Sequence, residues 1–229
     1  MCIRDSVVTV EEFRSKALKA VDLYLKKSAE DRKPCMFVLD SLGMLSTEKE
    51  ITDTLNDKMV RDMTKSQLIK GAFRMLTLKL GQANIPMIVT NHTYDVIGAY
   101  VPTKEMGGGS GLKYAASTII HLSKKKEKDG TAIIGNIIKA KTAKSRLSKE
   151  NQQVEVRLYY DERGLDRYYG LLELGEVGGL WKNVAGRYEI DGKKVYAKAI
   201  LKDPETYFTP EVMKQLDTIA RETYSYGAN

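Results

Sequence analysis

The sequence predicts an α/β fold with a mostly parallel sheet and flanking helices, followed by a small α+β C-terminal domain. Three observations predict it. Two apolar runs, Cys35–Asp40 (CMFVLD) and Ile85–His92 (IPMIVTNH), each end in polar groups, as buried parallel strands do. Each run comes after a segment with helical periodicity, so helix and strand alternate as in a sheet with crossover connections. From Gly175 the texture turns Gly-rich, with a hairpin signal at Asp191-Gly192.

Taken in order, Thr9-Val-Glu-Glu12 has the spacing of a capping box, with Thr9 as N-cap and Glu12 reaching back. Phe13, Ala17, Val21, Tyr24 and Leu25 then recur at helical spacing. Pro34 restricts the residue before it, so the helix is expected to end before Asp31. Ser46–Thr64 is polar and poorly periodic, a long loop with a short helix. Lys65–Gln82 carries Ile69, Phe73, Leu76 and Leu80 on one stripe. Thr93–Glu105 reads as a second long loop. The segment from Ser117 reads as strand, turn at Asp129-Gly130 and strand, and Gln152–Asp161 as a further strand. Thr209 and Pro210 suit the N-cap and first position of a last helix.

Composition narrows the function classes. The 229 residues allow one large domain, or a medium and a small one, and 42% are hydrophobic, enough for a core. No apolar run is long enough to cross a bilayer, and the start does not read as a secretory signal. Cys2 and Cys35 imply no disulfide framework, which suits a reducing cytosol. The net charge of +7 points weakly to a polyanionic partner. Residues 1–6 (MCIRDS) share no periodicity with the chain from Val7 onward and are expected to be a cloning or assembly scar, the alternative being a frayed native terminus.

In sheets of this kind ligands bind beyond the carboxyl ends of the strands. Asp40, Ser41, Asn91 and His92 are therefore expected at that edge. An acid there suits water held on Mg²⁺, or a strand-end cap. His92 suits a ligand sensor, or a structural histidine. Lys139 and Lys141 share a strand face by their period of two and suit one anion, or a solvated face. The lysines at 124, 125, 126 and 128 lie in a turn partly neutralised by Glu127 and Asp129. Gly107–Gly111 is not a phosphate-binding P-loop. Leu112 separates Gly111 from Lys113, and Tyr114 comes next where a hydroxyl is needed for magnesium. The glycines instead free the backbone to meet a nucleic-acid backbone, or form a plain flexible loop.

The ordered set MFVLDSLGML, MIVTNHTY, GGGSGLKYAAS and IIKAK resembles the RecA-like recombinases, within them the T4-type phage UvsX recombinases. The tail GRYEIDGKKVYAKAILKDPE is similar to the small C-terminal domain of bacterial RecA. The resemblance spans roughly Val7 to Tyr224. It implies a RecA-like core of the P-loop NTPase type over residues 7–174 and a small C-terminal domain over 175–229. It further implies an ATP-dependent recombinase that forms filaments on single-stranded DNA and promotes strand exchange.

By this resemblance Asp40 is the Walker B acid, meeting Mg through water, with Ser41 beside it. His92 stands where bacterial RecA has a Gln that links the ATP γ-phosphate to the second DNA-binding loop. Gly108, Gly109 and Lys113 contact single-stranded DNA, and Thr93–Glu105 is the mobile part of that loop. The first DNA-binding loop falls within Ser46–Thr64, with Met63 and Thr64 as contacts. Lys139 and Lys141 match lysines that reach ATP on the neighbouring subunit, and Tyr159 corresponds to an adenine-contacting Tyr. The implied partners are single- and double-stranded DNA, further copies in a helical filament, and phage mediator and single-strand-binding proteins. The implied place is the cytoplasm of a bacterial host, with no membrane.

The chain departs from the family in three ways. It has no Gly-x-x-x-x-Gly-Lys-Ser/Thr, no counterpart of the family's catalytic Glu, and no subunit-pairing N-terminal strand and helix. It is therefore expected to be the C-terminal part of a longer recombinase, neither binding ATP tightly nor hydrolysing it alone. A RecA-fold replicative helicase and a non-catalytic DNA-binding paralogue are the alternatives.

Overall fold

Thr9 starts the first helix as its spacing predicts. Its hydroxyl accepts the Glu12 N–H at 3.1 Å, and helix α1 (Val10–Lys26) begins there. Glu12 reaches one residue further back than a strict capping box requires, accepting the Val8 N–H at 2.9 Å. The computed structural model describes residues 6–58, 62–95, 104–190 and 192–227. The residues at 1–5 of the expected scar, 96–103 of the second loop, 59–61 of the first loop and Asp191 of the hairpin lie outside them. The fold is mixed α/β and divides into two units, Met1–Ala116 and Ser117–Asn229.

In the first unit, strand β1 (Phe37–Leu39) is succeeded by a 3₁₀ turn, helix α2 (Glu48–Leu55), helix α3 (Lys65–Ala83) and strand β2 (Met87–Val89). β1 and β2 pair in parallel, Val38 opposite Ile88. The stripe predicted for α3 is the buried one: Ile69, Phe73, Leu76 and Leu80 pack with Phe13, Ala17 and Val21 of α1. Each of the Val, Leu, Ile and Phe side chains among them contributes about 1.5–3 kcal/mol on burial. Asn84 ends α3 in the left-handed conformation. Strands β3 (Thr93–Asp95) and β4 (Lys104–Met106) pair antiparallel across the second loop, and helix α4 (Ser110–Ala115) comes after them.

The two apolar runs differ from expectation in burial. Leu39 is enclosed, but Val38 is 59% and Ile88 51% exposed. The helices cover one face of the pair only. An uninterrupted apolar run shows no period from which a bare face can be read.

In the second unit, strands β5 (Thr118–Asp129), β6 (Ala132–Ser145) and β7 (Gln153–Tyr159) form one antiparallel sheet in the order β5-β6-β7. The turn at Asp129-Gly130 is where the sequence predicts it, with Gly130 at φ 59°. Among the described residues β1 and β2 are the parallel strand pair, Thr9 and Ser46 add an isolated parallel bridge, and the other sheets are antiparallel, so a mostly parallel sheet is not seen among these strands. The long strands are joined by a tight turn, and a tight turn joins antiparallel neighbours. Helix α5 (Leu171–Val177), the meander of β8 (Lys182–Val184), β9 (Arg187–Ile190) and β10 (Lys193–Tyr196), and helices α6 (Ala197–Lys202), α7 (Pro204–Tyr207) and α8 (Pro210–Tyr224) complete the unit. Leu172, Trp181, Tyr188, Ile200, Phe208 and Leu216 form a second core. The textural change at Gly175 falls within this unit, close to where that core begins.

Candidate functional site

The carboxyl end of β2 holds two segments at once. Thr90 continues the pairing beyond the strand, its N–H donating to the Leu39 carbonyl at 2.9 Å and its carbonyl accepting the Leu42 N–H at 3.0 Å. The Thr90 hydroxyl donates to Asp40 Oδ1 at 2.6 Å. The next residue turns to the glycines. Asn91 Nδ2 donates to the Gly107 carbonyl at 2.7 Å, while Asn91 Oδ1 accepts the His92 N–H at 2.9 Å. The Gly107 N–H closes the link by donating to the His92 carbonyl at 3.1 Å.

The four residues expected at this edge are thus placed there, but in different roles. Asp40 is exposed, Ser41 half-buried, and the peptide between them is cis. His92 is exposed and lies against Gly43, where a Cβ would come within 3.0 Å of the ring. Asn91 makes the side-chain link to the glycine stretch. Thr90 is the residue that sequence reasoning missed. Its partner is 50 positions away, and no local pattern announces such a pair.

Gly108 and Gly109 have φ of 91° and 75°, a backbone region that side chains rarely tolerate. Gly108 lies against Leu42 and Ile69, and Gly109 beside Ser66. The stretch is therefore seated on the first core. Lys113 is exposed on α4.

The first loop is tied down at its base. Thr47 Oγ1 accepts the Glu50 N–H at 3.0 Å and Glu50 reaches back to the Thr47 N–H at 3.0 Å, a full capping box on α2. Thr47 Oγ1 also donates to Asp62 Oδ2 at 2.6 Å. Asp62 Oδ1 accepts both the N–H and the hydroxyl of Thr64, at 2.8 and 2.7 Å. Met63, between them, is exposed.

These bonds, the Thr47 hydroxyl first, hold the Asp62 carboxyl down to about 2 from an ordinary 3.8. The folded value is the lower, so this carboxylate stabilises the fold fully above 3.8 and loses that contribution as pH falls from 3.8 through about 2. Asp62→Asn is therefore expected to flatten the fall of thermal stability across that window, as read by circular dichroism melts. An unchanged slope would remove Asp62 from acid unfolding.

In the second unit Lys139 and Lys141 are exposed on one face of β6. Lys139 lies between Ser123 and Glu155, and Lys141 between His121 and Gln153. Tyr159 is already covered. The Arg163 guanidinium sits 3.7 Å from its ring centroid, and Arg157 Nη1 donates to its hydroxyl at 3.2 Å. Arg157 also stacks on Tyr169 at 4.3 Å and lies 3.4 Å from Glu127, and the lysines at 124, 125, 126 and 128 lie not in a turn but in the last part of strand β5, paired with β6.

Among the described residues no three His, Cys, Asp or Glu side chains are grouped to hold a metal. Asp40 is a single exposed acid with one oxygen engaged by Thr90, a donor set that fits magnesium reached through water and not direct caging. Among the described residues no helix is long and apolar enough to cross a membrane.

A family model described as the RecA N-terminal domain matches residues 3–166. The recombination and repair protein of Enterobacteria phage T4 is 34% identical over 187 residues, which is 81% of this chain and 46% of that protein. Protein RecA of Desulforapulum autotrophicum is 28% identical over 220 residues, 94% of this chain and 61% of that protein. Protein RecA of a Nocardioides species is 26% identical over 228 residues, 96% of this chain and 62% of that protein. The chain thus spans about half to three fifths of the length of these relatives.

Proposed function

The chain belongs to the RecA N-terminal domain family, and from that premise we propose that it is part of an ATP-dependent DNA recombinase which assembles on single-stranded DNA and promotes strand exchange. The observation that carries the reading is the double link at the end of β2, from Asp40 through Thr90 to Asn91 and Gly107. It joins an acid suited to magnesium to a glycine stretch suited to a nucleic-acid backbone, within one strand end.

In this reading ATP supplies the phosphoryl group whose transfer drives the filament cycle. Asp40 would hold magnesium through water, and Ser41 and His92 line the same edge. Lys139 and Lys141 face the phosphates of a nucleotide held by a neighbouring copy, where paired cations stabilise developing charge. Tyr159 contacts the adenine once Arg163 swings aside. Gly108, Gly109 and Lys113, with the Met63–Thr64 step, meet the single strand, and double-stranded DNA is taken up for pairing. Head-to-tail contacts of this kind generate open filaments. Mediator and single-strand-binding proteins are further partners, in the cytoplasm of a bacterial host. Coupling between the two sites is reciprocal, so DNA tightens nucleotide binding in the whole protein.

Single-stranded DNA binding by the 229-residue chain, monitored by fluorescence anisotropy across a salt series, tests the reading. Expected is an affinity that falls with salt, by a log–log slope of about −0.7 per phosphate neutralised, and is indifferent to added ATP. Folded protein that binds no DNA at low salt overturns the assignment of these loops.

A further inference from the structure

Asp62 is the one charged residue that is buried among the described residues, and its side chain is 0% exposed. Its sequence context, a polar and poorly periodic stretch, gives no hint of this. Three hydrogen bonds satisfy its carboxylate, and Lys49 Nζ stands 4.0 Å away. The Thr47–Asp62 bond spans 15 positions. A second cross-link of the same span joins Glu50 to Lys65 at 3.2 Å, on the first residue of α3. The chain therefore leaves at Thr47 and returns at Asp62 to one stapled base, and α3 begins directly beyond it.

The staple decides what the next two residues are free to do. Thr64 is fully committed. Its N–H and hydroxyl go to Asp62, and its carbonyl accepts the N–H groups of Gln67 and Leu68. Met63 lies between two fixed neighbours and is 80% exposed. A long apolar side chain at a pinned position presents a polarizable thioether that suits the face or edge of a base.

We propose that Asp62 is a positioning residue for single-stranded DNA, its buried carboxylate holding the Met63–Thr64 step so that Met63 makes the contact and Thr64 belongs to the support. The inference rests on the DNA reading given above. It divides two residues that the family resemblance treats alike. It also assigns a task to a carboxylate placed beside a polyanion, where charge alone would make it unfavourable.

That opposition of signs supplies the test. Asp62→Asn removes a negative charge, so electrostatics alone predicts tighter DNA binding. Positioning predicts the reverse, an affinity lower by about tenfold at every salt concentration. Met63→Ala is expected to weaken binding similarly with an unchanged salt slope, since an apolar contact releases no counterions. Melting curves on both variants confirm that folded protein is being compared.

Asp62→Asn that binds as tightly as the parent, or more tightly, overturns the proposal, as does Met63→Ala without effect. Met63 is exposed, so that variant keeps the test valid even where Asp62→Asn unfolds. A parent chain that binds no DNA is a failure of the functional reading. Hydrogen exchange separates that failure from a failure of the staple. The Thr64 and Glu50 amides are expected to exchange slowly in the parent and faster in Asp62→Asn, and fast exchange in the parent overturns the staple itself.

Discussion

Replacing Lys139 and Lys141 together by Ala is expected to abolish DNA-stimulated ATP hydrolysis, by about 10³-fold or more, in a version extended to the length of the phage relative. Both side chains are exposed on one face of β6, and neither belongs to either core. Exposed substitutions away from packed or bonded features change stability by about 0.5 kcal/mol or less, so the double variant remains folded. Its loss of activity is then a loss of charge at the phosphates. The single variants separate the two positions, because Lys139 has the Glu155 carboxylate across the strand and Lys141 has the neutral Gln153. Lys141→Ala is expected to cost more, since no acid directly across β7 offsets its charge. Normal turnover in the double variant would sink the role in trans.

Trp181→Ala is expected to cost about 3–5 kcal/mol, at the upper end for truncating a side chain of the second core. The indole is 4% exposed and meets Phe208 edge-on at 6.1 Å. Its Nε1–H donates to the Leu172 carbonyl at 2.7 Å. Gly175 packs so closely on the ring that any side chain there would overlap it. The substitution therefore opens a cavity against α5 and removes the donor that Leu172 faces. Chemical denaturation monitored by far-ultraviolet circular dichroism measures the loss, and hydrogen exchange locates it in α5 and α8. A cost below about 1 kcal/mol would mean that the pocket collapses around the smaller residue.

Much of this architecture is legible in the sequence where the signal is local. The α3 stripe comes from helical spacing, the β5–β6 turn from Asp129-Gly130, and the start of α8 from Thr209, whose hydroxyl accepts the Val212 N–H. The Thr47–Glu50 capping box has the same Thr-x-x-Glu spacing as Thr9 to Glu12 and is hidden only by the polar character of its surroundings. The long-range contacts are the part the sequence withholds. The Thr90–Asp40 and Thr47–Asp62 bonds join residues 50 and 15 positions apart, and the side chains involved are ordinary at every one of these positions. The burial of β1 and β2 is illegible for a related reason. Val38 and Ile88 are as apolar as Leu39, and only the placement of α1 and α3 decides which of them is covered. Tyr159 shows the limit for the site, since the arginine over its ring comes from a turn rather than from its own strand.

The two links at the end of β2 sit on adjacent residues, Thr90 serving Asp40 and Asn91 serving Gly107. Adjacent positions in an extended chain point opposite ways, so the arrangement depends on counting as much as on chemistry. A substitution at either position breaks one link and leaves the other. Insertion or deletion of a single residue between Met87 and Thr90 exchanges the two directions and breaks both together. A change of letter in this segment therefore costs one link at a time, whereas a change of length costs both.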